Sequence, residues 1–150
     1  MLGELRANHV SVQTKLVDNL PDVRGNRVQL QQVILNLIRN AIEAMNSVTN
    51  RARLLRIGSV IHEPDGVLVS VEDSGTGLNP EDTERIFDSF FTTKPQGTGM
   101  GLSISRSIIE GHQGRLSASS GIDQGAVFSV LLPAVRPADG ATTSGAASVI

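Results

Sequence analysis

The sequence holds no cysteine, no tryptophan and no tyrosine. Without cysteine, neither a disulfide framework nor a thiolate metal site can form. With no Trp or Tyr and only four Phe in 150 residues, the aromatic platforms on which single-stranded nucleic acid stacks are missing. Three of those four, Phe87, Phe90 and Phe91, fall within five residues of chain, which reads as an anchor on a loop. The net charge is −2 and no long basic run stands out, so binding of nucleic acid by counterion release is not expected. No apolar run approaches the roughly 20 residues that span a bilayer. Residues 1–20 lack the charged start and long apolar stretch of a signal peptide. The expectation is a cytoplasmic chain, or the cytoplasmic piece of a larger one, with no membrane contact.

What is present suits one compact domain: 150 residues, 39% of them apolar. Residues 9–17 alternate apolar and polar at Val10, Val12 and Thr14, a strand pattern that Asn19-Leu20-Pro21-Asp22 ends. From Arg27 to Met45 the apolar residues recur with a helical period over about five turns. Residues 54–61 and 67–72 are β-rich runs around Glu63-Pro64-Asp65-Gly66, a turn in which Pro presets φ and Gly is expected at a left-handed corner. Asn79-Pro80 predicts an N-cap and first helical position, opening a short helix to about Phe87. Residues 88–100 read as a long loop, 102–110 as a helix, and 115–120 and 126–132 as two final strands. The end, 134–150, is rich in Ala, Gly, Ser and Thr and predicts a flexible tail after a domain spanning 9–133. Adjacent hairpin strands without strict βαβ alternation predict an α/β (α+β) fold: a two-layer sandwich of a mixed, mainly antiparallel sheet with helices on one face.

Three features carry chemistry. Asn36, Asn40 and Glu43 sit at i, i+4 and i+7, within roughly 60° of one another on one helix face. Amide oxygens there suit a hard cation such as Mg²⁺ together with ligand phosphates, but taken alone the helix is explained more simply by an exposed polar edge, since i,i+4 polar pairs are common. Asp73-Ser74-Gly75-Thr76-Gly77-Leu78 follows a strand directly. Its acid can accept from an exocyclic amine such as adenine's, and its glycines allow close backbone approach. Gly97-Thr98-Gly99-Met100-Gly101-Leu102 runs into a helix, whose free N–H groups and dipole suit phosphate. It is neither the dinucleotide fingerprint nor a Walker loop. Between the glycine loops, Phe90 and Phe91 suggest docking on another surface, and Lys94 is a point charge able to reach a terminal phosphate.

In order, these segments resemble the motifs of one family. NLIRNAIEAM at 36–45 is similar to the N box of histidine kinases, DSGTGL at 73–78 to the G1 box, IFDSFFTTK at 86–94 to the F box, and GTGMGLSIS at 97–105 to the G2 box. GAVFSVLLP at 125–133 resembles the last strands of the same domain. The resemblance covers about 8–133, and the wording around the F and G2 boxes is most similar to nitrogen- and oxygen-sensing (PAS-type) kinases. It implies the Bergerat ATP-binding sandwich, shared with gyrase, heat-shock protein 90 and mismatch-repair ATPases, and the cofactors ATP and Mg²⁺. It implies that Asn40 binds Mg²⁺ and bridges phosphates with help from Asn36, and that Asp73 bonds the adenine amine. Glu43 and Leu102 belong to the implied nucleotide site, and Gly75 and Gly77 let the chain pass close to the base. Gly97, Thr98, Gly99 and Gly101 shape a lid, Lys94 approaches the γ-phosphate, and Phe90 or Phe91 fixes the lid against dimerisation helices. Residues 1–8 would be the end of a linker helix.

Two departures stand out. The family often has Thr where this chain has Ala126, and the H box is absent: His9, His62 and His112 all lie outside a phosphoacceptor context. The implied partner is therefore a separate dimerisation and histidine-phosphotransfer domain, with a response regulator reached indirectly and the isolated domain a monomer. An ATP-hydrolysing relative would carry a Glu where Asn36 stands, as would the serine kinases of anti-sigma-factor type, so slow hydrolysis is expected. The other alternative is a catalytically degenerate nucleotide-binding module.

Overall fold

The computed structural model describes residues 2–89, 101–121 and 124–135. The element order is α1 (Leu2–Ala7), β1 (Val10–Leu16), α2 (Arg27–Met45), β2 (Arg53–His62), β3 (Gly66–Asp73), two 3-10 turns (Pro80–Asp82 and Arg85–Phe87), α3 (Gly101–Gly111), β4 (Arg115–Ser120) and β5 (Ala126–Pro133). The five strands form one sheet in the order β1-β2-β3-β5-β4. β1 and β2 run parallel, and every other pair is antiparallel. A parallel neighbour requires a crossover of a dozen or more residues, and α2 supplies it. The mixed, mainly antiparallel two-layer sandwich read from the sequence is the fold observed.

α2 begins where expected, because Asn26 Oδ1 accepts the Gln29 N–H at 3.1 Å and caps the first turn. Its apolar stripe, Leu30, Val33, Ile34, Leu37, Ile38, Ala41, Ile42 and Met45, is buried. That stripe meets alternate residues of the central strands: Leu55 and Ile57 of β2, Val67, Val69 and Val71 of β3, and Ala126, Phe128, Val130 and Leu132 of β5. α3 adds Ile109 to the same cluster, so both long helices cover one sheet face.

Two local expectations are corrected. The predicted helix over 80–87 is a pair of 3-10 turns. Asn79 does cap the first, accepting from the Glu81 N–H at 3.4 Å, and Pro80 opens it. Apart from Pro80, however, the segment offers only Ile86 and Phe87 as apolar residues, so it has no periodic face to bury and a longer helix gains nothing. It delivers one anchor: Phe87 is buried edge-on to Phe128, ring centroids 6.3 Å apart, with the Arg106 guanidinium 4.9 Å from its centroid. In the β2–β3 hairpin, Gly66 is not in a left-handed conformation but lies in β3, paired with His62. Hydrogen bonding also continues past Pro133, since Ala134 N–H donates to Asp65 O and Val135 N–H to Asp22 O. Residues 136–150, expected as a tail, lie outside the described residues.

Candidate functional site

The strand β3 ends in Asp73, 3% exposed at the edge of the core. Its Oδ1 accepts the Gly75 N–H at 2.8 Å, folding the chain into an Asx turn, and the Ala126 N–H at 3.4 Å. Two backbone donors on one oxygen fix the carboxylate's plane. The turn is held from behind. Ser74 Oγ accepts the Leu54 N–H at 2.8 Å and donates to Ala52 O at 3.1 Å. Arg51 Nη2 donates to the carbonyls of Ser74 and Gly75 at 3.0 and 2.8 Å.

The glycines let this turn lie against its neighbours. A Cβ on Gly75 would stand 2.5 Å from the Ala44 carbonyl oxygen, so the loop packs directly on the last turn of α2. Gly77 has φ +85° and abuts Gly125, itself at φ +92° and pressed against the Asp73 carbonyl. Asp73, Gly75, Gly77 and Gly125 therefore form one floor at the C-terminal end of α2.

From that floor α2 leads to the rest of the polar stripe. Asn40 is half-buried one turn before Ala44, and Glu43 is exposed beside it. Asn36, also half-buried, lies about 12 Å along the axis from Ala44 at 1.5 Å per residue. There α3 arrives, antiparallel to α2. Asn36 Nδ2 donates to Ser105 Oγ at 2.9 Å, and Ser105 is 2% exposed. A Cβ on Gly101 would lie 2.9 Å from Asn36 Oδ1, so the first turn of α3 rests on the Asn36 amide. Leu102 packs against the core cluster from the same turn. At the other end of the helix pair, the Asn26 N–H donates to His112 Nε2 at 2.9 Å.

The structure thus joins Asp73, Gly75, Gly77, Asn40, Glu43, Asn36, Gly101 and Leu102 through α2. Phe90, Phe91, Lys94, Gly97, Thr98 and Gly99 lie outside the described residues. Among the described residues no group of three His, Cys, Asp or Glu side chains could hold a metal. A cation at this site would rest on amide oxygens and on oxygens brought by a ligand, which is how Mg²⁺ is commonly held. Sequence reading missed Arg51, Ser74, Ser105, Gly125 and His112. Four of them act through backbone groups or packing, which leave no residue-type signature; Ser105 is a polar residue on the buried face of a helix, and that was a readable signal.

Comparison with known proteins bears on this arrangement. The family described as "Histidine kinase-, DNA gyrase B-, and HSP90-like ATPase" matches residues 25–136. Sensor protein TdiS of Thauera aromatica is 39% identical over 132 residues, 87% of this chain and 24% of TdiS. Sensor protein FixL of Bradyrhizobium diazoefficiens is 42% identical over 133 residues, 89% of this chain and 26% of FixL. The chain therefore spans about a quarter of the length of these relatives. The catalytic domain of histidine kinase ThkA superposes with a TM-score of 0.77 at 33% identity, covering 90% of this chain and 87% of that domain. No helix among the described residues is long and apolar enough to cross a membrane.

Proposed function

The chain belongs to the histidine kinase-, DNA gyrase B- and HSP90-like ATPase family, among its histidine kinase catalytic domains, and on that premise we propose that it binds Mg·ATP along α2 and passes the γ-phosphoryl group to a histidine on a separate dimerisation domain. The observation that carries this reading is the continuous path from the buried Asp73 turn, packed on Ala44, to the Asn36 amide beneath Gly101. Asp73 receives the adenine amine, and Gly75 and Gly77 pass close under the base. Asn40 and Asn36 offer oxygens at the phosphate end, where the start of α3 favours anionic groups. Bound Mg²⁺ would neutralise phosphate charge during transfer. Lys94, Gly97, Thr98 and Gly99 would close over the phosphates, and Phe90 or Phe91 would dock the lid on the dimerisation helices.

The nucleophile then comes from the partner, which fits the histidines of this chain. Both ring nitrogens of His112 are engaged within the fold, His9 lies in the turn before β1, and His62 ends β2. α1 would be the end of the linker helix leading from the dimerisation domain, in a monomeric, cytoplasmic catalytic unit of residues 9–133 that reaches a response regulator only through that histidine. The test is transfer of the γ-phosphoryl group of labelled ATP. The full parent protein should acquire label on a histidine outside this chain, acid-labile and dependent on Mg²⁺. Label on a residue within this chain, or none, overturns the proposal.

A further inference from the structure

We infer that Ser105 is a positioning residue for the phosphate end of the site: its buried hydroxyl holds the Asn36 amide with Oδ1 as the atom presented to the cation. This rests on the Mg·ATP reading above and adds a residue to it.

An asparagine amide has two ends of nearly equal shape and opposite chemistry. The oxygen can ligate a cation, and the NH₂ group can only repel one. An Asn beside a metal–phosphate cluster is useful only if its rotation about the last side-chain bond is set. In this chain Nδ2 donates to Ser105 Oγ at 2.9 Å, which occupies the donor end. The amide is also confined from one side, because the backbone of Gly101 lies so close that a Cβ there would stand 2.9 Å from Oδ1 and 3.0 Å from Nδ2. Gly101 and Ser105 are one turn apart on α3, so a single helix face grips the amide at two points.

Ser105 itself calls for an explanation. At 2% exposed it is as buried as the core leucines, and Ile109, one turn on, belongs to the hydrophobic cluster. A hydroxyl buried on such a face costs stability unless it is bonded, and an alanine would pack there without that cost. Among the described residues its hydrogen-bond partner is Asn36. The pair therefore links the first turns of α3 to the amide stripe of α2.

The test measures ATP binding calorimetrically with Mg²⁺ and with EDTA, and adenosine binding alongside, for the parent, Ser105→Ala, Ser105→Thr, Asn36→Ala and the Ser105→Ala/Asn36→Ala pair. The readout is the ratio of ATP affinity with and without Mg²⁺. Ser105→Ala should cut that ratio on the order of tenfold, the usual effect of removing a group that orients a metal ligand, and leave adenosine binding at the parental value. Ser105→Thr keeps the hydroxyl and should keep the ratio. In the Asn36→Ala background Ser105→Ala should add nothing. An unchanged ratio in Ser105→Ala, an equal loss for adenosine, or a full additional loss in the double variant overturns the inference. If Ser105→Ala does not fold, a reduced ratio in Ser105→Thr overturns it and a parental ratio sustains it. A parent chain that binds ATP no better with Mg²⁺ than without overturns the underlying reading instead.

Discussion

His112 and Asn26, 86 residues apart, are joined by a hydrogen bond of 2.9 Å from the Asn26 N–H to Nε2, while Nδ1 lies 2.7 Å from the Ile108 carbonyl. The tautomer protonated at Nδ1 satisfies both contacts. The imidazole thus ties the end of α3 to the N-cap of α2, and Gly25 has no side chain because its Cβ would meet the ring. His112→Ala removes the partner of a backbone donor and opens a gap beside Leu30. Asn26 is exposed, so water can take up its N–H, and the loss should be about 0.5–1.5 kcal/mol in urea unfolding. A midpoint and slope equal to the parent's would show that the tie carries no stability.

Gly75→Ala tests the contact between the Asp73 turn and α2. The added Cβ would meet the Ala44 carbonyl at 2.5 Å, and that oxygen belongs to helix backbone and cannot step aside. The turn must lift, carrying the Gly75 N–H away from Asp73 Oδ1. Adenosine affinity should fall by at least about tenfold, the equivalent of one hydrogen bond near 1.4 kcal/mol, while the helical circular dichroism is retained. Parental adenosine affinity would mean that the turn does not touch the base.

Ser59 presents the opposite case to Ser105. It is 2% exposed on the core face of β2, and among the described residues its Oγ has no hydrogen-bond partner. A buried hydroxyl without a partner is a net cost, so Ser59→Ala should stabilise the chain by about 1 kcal/mol in the same unfolding experiment. A loss of stability would reveal a partner for that oxygen.

Hydrolysis should be slow. An amide at position 36 cannot accept a proton from water at neutral pH, and its NH₂ is committed to Ser105. Phosphate release by the isolated chain should therefore stay far below the turnover of a dedicated ATPase, and Asn36→Ala, which removes an oxygen from the phosphate end, should not raise it. A fast rate that collapses in Asn36→Ala would assign the chain to the hydrolysing branch of its family.

The elements legible in the sequence were those with a period to read. The apolar positions from Val28 to Met45 repeat over enough turns to bound α2 at Arg27 and Met45, the limits observed. The β-rich composition of 67–72 likewise marked β3, whose residues alternate between buried and half-buried. The segment 80–87 has no such repeat; its cap was readable, but whether the chain went on as α-helix depended on where Phe87 had to reach. At the site, Asp73 and the glycines were visible because their chemistry is unusual at those places. Arg51 was not, because it grips carbonyl oxygens that any residue would supply. Nor was the link from Asn36 to Ser105, which exists only once α3 lies antiparallel on α2.

The central claim is that one nucleotide spans the site from Asp73 to the amides of α2. Calorimetric titration of Asp73→Asn and Asn40→Asp with adenosine and with Mg·ATP tests it most directly. Asp73→Asn keeps an oxygen for the Gly75 and Ala126 N–H groups and loses the charge, so both ligands should bind more weakly, by about 10- to 100-fold for a charge-assisted hydrogen bond of 1.5–3 kcal/mol. Asn40→Asp should weaken Mg·ATP and leave adenosine unchanged. Parental binding of both ligands by both variants would contradict the account.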